Sequence, residues 1–110
     1  MLFLVELDHV KPGGIPTVES SRVFIEQIIF PTIARAEQLV AEKNILAGGP
    51  VAGRVALRLI VEAASPQEVD QIVTSLPLWP AAETRVTPLI AFADRRKHVQ
   101  ALLGRLTPQP

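Results

Sequence analysis

The stretch Arg54-Val55-Ala56-Leu57-Arg58-Leu59-Ile60-Val61-Glu62, followed by Ser65-Pro66-Gln67-Glu68, decides the fold. Its first part alternates strictly. Val55, Leu57, Leu59 and Val61 share one face, and Arg54, Ala56, Arg58, Ile60 and Glu62 share the other, which is the period of a β-strand. Ser65 then supplies a capping hydroxyl, Pro66 suits the first helical position, and Glu68 stands three residues after the cap, so a helix starts here and runs to about Ser75. Within it Val69, Ile72, Val73 and Leu76 recur at helical spacing and form the stripe that lies against the sheet.

Working outward, residues 1 to 10 (MLFLVELDHV) are rich in β-formers and almost continuously apolar to Val5, as in a central strand covered on both faces. Lys11 to Pro16 is a turn by composition, and Thr17 offers an N-cap oxygen to a long helix beginning near Val18. Ile25, Ile29, Ile33, Ala36 and Val40 give that helix an apolar face, and Pro31 predicts a kink or break near Phe30. Ile45 to Gly53 contains Gly48, Gly49 and Pro50 and reads as a short edge strand. Thr84 to Phe92, carrying Pro88, reads as a second edge strand, and Arg95 to Leu106 as a C-terminal helix.

The order β-α-β-β-α-β is that of a ferredoxin-like α+β domain, an antiparallel sheet with helices on one face. We expect residues 1–96 to form this domain and residues 97–110, a short helix and tail, to extend it. Leu2, Leu4 and Ile60 would then lie on the sheet's second face beside Glu6, Asp8, Arg54 and Arg58. Such a face is readily covered by a second copy of itself, so a homodimer or higher homo-oligomer is expected.

Composition narrows the function. With 11 acidic and 11 basic residues the net charge is zero, which lacks the footprint of a nucleic-acid binder. No apolar run approaches the ~20 residues needed to span a bilayer. There is no cysteine, which fits the cytoplasm and excludes thiolate metal sites, and no histidines or acids show metal-ligand spacing. No metal is expected.

The residues that carry candidate chemistry are few. Glu6 and Arg58 point to the same face of neighbouring strands. In one reading Glu6 accepts a proton and Arg58 clamps a small-molecule acid; in the other they are a structural ion pair at an interface. His9 faces the opposite way from Asp8 and is the histidine nearest the sheet, either a general base or an exposed strand end. Arg85 in the last strand is a second candidate for holding a carboxylate. Trp79 either walls a ligand pocket or closes the apolar end of the second helix. Gly48-Gly49-Pro50 lacks the following helix and the Lys-Ser/Thr pair of a phosphate loop, and Arg95 to His98 reads as a solvated basic run.

Met1-Leu2-Phe3 with Val5, Leu76-Pro77-Leu78-Trp79-Pro80 and Asp94-Arg95-Arg96 resemble landmarks of the muconolactone isomerase-like family within the dimeric α+β barrel superfamily. Ile45 to Pro50, followed by a strand and a Ser-x-x-Glu cap, resembles YCII-related proteins more locally. The first resemblance implies a proton shift in an unsaturated lactone of aromatic-compound breakdown, with no metal or organic cofactor. Both imply the same fold and the same dimer. The family's lysine-and-glutamate run falls here on Phe30, Ile33, Ala34 and Arg35, and its aromatic, basic and histidine cluster on Leu46 to Val51. Two functions follow: an isomerase or lyase of a small carboxylated lactone or ring, or a non-catalytic protein of the same fold that binds small ligands or serves in assembly.

Overall fold

The computed structural model describes residues 1–108. In chain order the elements are β1 (Leu2–His9), α1 (Val18–Phe24), a π-helical segment (Ile25–Ile29), α2 (Phe30–Ala41), β2 (Ile45–Pro50) and β3 (Ala56–Glu62). There follow α3 (Pro66–Thr74), a 3₁₀ turn (Trp79–Ala81), β4 (Ala82–Leu89) and α4 (Phe92–Leu106). The four strands make one antiparallel sheet in the order β2-β3-β1-β4. The strands without proline or glycine are therefore central, and Pro50 and Pro88 lie on edges, where a missing N–H leaves no ladder bond unmade.

Phe3, Val5 and Leu7 of β1 and Leu57, Leu59 and Val61 of β3 form the inner face. Leu39 of α2, Val69, Ile72 and Val73 of α3, and Leu76 and Leu78 beyond α3 close over it. Burying each such side chain contributes about 1.5–3 kcal/mol, so this face fixes the strand register. The α3 start follows its sequence: Ser65 Oγ accepts from the Glu68 N–H at 3.1 Å, and the Glu68 carboxylate accepts from the Ala64 N–H at 2.9 Å. Edge strand β2 carries a bulge between Ile45 and Ala47. Beyond the bulge, Gly48 at φ 104° passes so close to β3 that a Cβ there would run into the Arg58 carbonyl.

Several expectations need correction. Val55 is exposed in the turn before β3, and the strand starts at Ala56, because Val51 and Ala56 close the hairpin with a hydrogen bond (Val51 N to Ala56 O, 2.9 Å). The last strand runs over Ala82–Leu89, since the 3₁₀ turn delivers the chain to β1 already at Ala81, whose carbonyl accepts from the Val10 N–H. The C-terminal helix begins at Phe92, and the last residues of the expected extension, 109 and 110, lie outside the described residues.

The face of the first helix is also one position away from the expected stripe. Of that stripe Ala36 packs on the core and Ile29 is half-buried, but Ile25, Ile33 and Val40 are exposed, while Phe24, Ile28, Thr32 and Leu39 turn inward. The cause is the π-helical segment: its i→i+5 turn is wider than an α turn, so steps of four stay in line across it. Pro31 sits at the start of α2, directly after this segment, and the helix widens before it where a break was expected.

Candidate functional site

Two constellations meet at the end of the sheet where β1 finishes and β3 begins. The first lies on the open face. Glu6 stands in register between Arg58 of β3 and Arg85 of β4. Its Oε1 is 3.4 Å from Arg58 Nε, and Arg58 Nη2 donates to both oxygens of Asp8 at 3.1 and 3.2 Å. Arg54 Nη2 donates to Asp8 as well, and Arg58 Nη1 donates to the Leu57 carbonyl at 2.9 Å. Strand alternation places these charges together, and Leu2, Leu4 and Ile60 extend the same face as half-buried apolar neighbours.

The second is a cavity of about 170 Å³ beneath the helix layer, lined by Ile29, Thr32 and Ile33 from the first helix, by Pro50 and Arg54 to Leu57 from the β2–β3 hairpin, and by Leu78. A void of about 150 Å³ takes up benzene in an engineered protein, so this one has room for a single ring. Its lining is almost wholly apolar. Two features break that pattern. Thr32 is 4% exposed and its Oγ1 has no hydrogen-bond partner among the described residues, at a cost of about 1–3 kcal/mol unless something else bonds it. Arg54 at the rim links the cavity to Asp8 and thereby to the charged face.

His9 points to the helix side of β1 and stands next to the cavity without lining it: its backbone N–H donates to the carbonyl of Val55, a cavity residue, at 3.0 Å, and its ring packs on Phe24 with centroids 4.6 Å apart. Glu6 and His9 therefore lie on opposite faces of β1 and do not meet. Arg85 is exposed across from Glu6, and Trp79 is 41% exposed beside the cavity residue Leu78. Thr32 was not expected at a site, and Arg54 and Leu78 were expected only on the open face and in the Leu76–Pro80 segment. Thr32 had a signal: stepping by fours from Phe24 instead of Ile25 puts it on the inner face. Among the described residues, no three His, Cys, Asp or Glu side chains gather as metal ligands, and no helix is long and apolar enough to cross a membrane.

The family model for muconolactone delta-isomerase matches residues 1–95. The chain belongs to that family. Among solved structures, muconolactone isomerase at 3.3 Å resolution superposes with a TM-score of 0.66 at 20% identity, covering 83% of this chain and 90% of the other. The 5-chloro-2-hydroxyhydroquinone dehydrochlorinase of Burkholderia phenoliruptrix AC1100, in complex with 2,5-dihydroxybenzoquinone, superposes with a TM-score of 0.62 at 29% identity, covering 86% and 98%. No curated protein matches the chain. The muconolactone delta-isomerase family assignment and the antiparallel sheet together give the fold of the dimeric α+β barrel superfamily. The family match stops at residue 95, so most of α4 lies beyond it.

Proposed function

We propose that this protein is a cofactor-independent isomerase or lyase of a small carboxylated lactone or ring compound from aromatic catabolism, acting in the cytoplasm. The cavity carries the reading: it is sized for one ring, apolar, and supplied with one unpaired buried hydroxyl and one rim cation. In this scheme Arg54 holds the substrate carboxylate, Thr32 Oγ1 bonds a ring oxygen, and His9 takes a proton from one ring carbon and delivers one to another. The isomerisation is balanced: one ring proton passes to His9, and one proton, exchanged with solvent on the imidazole, passes from His9 to the second carbon. The family name describes such a proton shift in a lactone, and the dehydrochlorinase relative acts on a single oxygenated ring.

Glu6, Arg58 and Arg85 take a different part. Facing away from the cavity, they form the charged centre of a seam at which a second copy pairs sheet to sheet, which also covers Leu2, Leu4 and Ile60. Trp79 closes the end of α3 from outside.

Solvent-proton exchange tests the reading. Incubation with muconolactone in D₂O, followed by proton NMR, is expected to show deuterium entering the lactone, with His9→Gln slowing it about 100-fold or more. Equal rates in His9→Gln and the parent would remove His9 from the reaction. One observation favours a second reading, a binding protein without turnover: Ile33 and Pro50, where the family places charged or aromatic groups, are apolar walls of the cavity. A lactone retained in native mass spectrometry but never deuterated would establish that reading instead.

A further inference from the structure

We infer that α4 is an exchanged arm, and that its apolar stripe docks in the groove on the outer side of α1 in a second copy of this chain. α4 packs on no element of its own domain to any extent, and none of its residues is buried. The chain is accordingly 75 Å long, with a radius of gyration of 19.1 Å, against about 13 Å for a compact chain of this size. Along α4, Phe92, Val99, Leu102, Leu103 and Leu106 recur at three, four and seven residues and fall within one arc of about 100°. Their exposures run from 39% for Leu102 to 95% for Phe92. Arg95 falls inside this arc between Phe92 and Val99, so the apolar edge is continuous over the ~11 Å from Val99 to Leu106, and such an edge in water has the pattern of a surface made to be covered.

The same chain carries a matching surface. Pro16, Val18, Ile25 and Phe30 line an open groove of about 490 Å³ along α1 and the π-helical segment, in which Val18 is 90% and Phe30 62% exposed. Arg22 and Glu26 both line the groove, with Arg22 paired to Glu19, so the groove presents both signs and its match to α4 rests on apolar surface.

Topology selects the copy. α4 is rooted where β4 ends opposite Leu2, whereas the groove lies at the other end of the sheet, over the helix that follows His9 and packs on it through Phe24. Only Ile90 and Ala91 connect β4 to α4. Each copy thus offers an arm it does not use and a groove its own arm is not rooted to fill, and exchange between two copies satisfies both. The inference does not depend on the reaction assigned to the cavity.

Because the chain has no cysteine, disulfide trapping gives a clean test. Ser21→Cys in the groove and Gln100→Cys on α4 are made in separate, differently tagged full-length chains and mixed under mild oxidant. A cross-tag disulfide is expected, and Leu102→Asp with Leu106→Asp in the arm should abolish it and weaken association by about 100-fold or more. Three results would overturn the proposal: no cross-tag product, a product joining Gln100→Cys chains only to each other, or a Ser21→Cys/Gln100→Cys double variant that closes entirely within one chain.

Discussion

Replacing Arg58 with methionine separates a structural from an assembly role for the charged face. The substitution keeps most of the apolar stem and removes one cation from between two carboxylates. In a lone chain the cost is small. The side chains of Arg58 and Asp8 keep 34% of their exposure and that of Glu6 keeps 26%, so water screens the pairs and about 1 kcal/mol or less is lost. If a second sheet covers this face, Asp8 keeps Arg54 but Glu6 is left without water and without Arg58, and the cost rises to about 3–5 kcal/mol. The difference, about 2–4 kcal/mol, falls on association and corresponds to about a 30- to 1,000-fold weaker dimer. Sedimentation equilibrium over a concentration series reads it directly, in the Leu102→Asp/Leu106→Asp background so that only sheet pairing contributes. The urea midpoint at the lowest concentration should barely move. An Arg58→Met chain that associates as tightly as its parent would show that the face is not the seam, as would a parent that sediments as a single chain at micromolar concentration.

Thr32→Val should raise the stability of the ligand-free protein by about 1 kcal/mol in urea unfolding, since it removes an unpaired buried hydroxyl, while weakening ring binding measured by calorimetry. Destabilisation would mean that the hydroxyl is bonded after all. Gly48→Ala should cost about 2 kcal/mol or more, because the position combines φ 104° with a clash against the Arg58 carbonyl; an unchanged melting temperature would contradict the close approach of β2 to β3. Ser65→Ala should cost about 1 kcal/mol through loss of the α3 cap, measured by the same unfolding assay.

The central sheet was legible because alternation and proline placement are local signals that tertiary structure has little freedom to override. Leu57, Leu59 and Val61 are buried on the face the alternation assigns, and Glu6, Asp8, Arg54 and Arg58 meet as the second face requires. The first helix was harder. Its isoleucines at 25, 29 and 33 keep helical spacing as convincingly as the true stripe of Phe24, Ile28 and Thr32, and the choice between two stripes one residue apart is made by the π-helical segment, which leaves no compositional mark. That error hid Thr32 and with it the cavity. His9 and Arg54 were visible as residues, but their relation to the cavity depends on how the β2–β3 hairpin ends, and a turn that excludes Val55 from its strand is set by hydrogen bonds between distant positions.

The π-helical segment also makes the first helix a counter that is one residue ahead of its packing. Removing one residue from Ile25–Ile29 would let the helix relax to regular α geometry with both flanks in their present phase, whereas straightening the segment at unchanged length would swing everything before it by about 100° around the axis. Phe24 would leave the His9 ring, and Ile25 and Val18 would turn from the outer groove toward new neighbours. The inner and outer surfaces of this helix are therefore phased by a single supernumerary residue. Losing the wide turn at constant chain length would alter the environment of His9 and the shape of the groove at once.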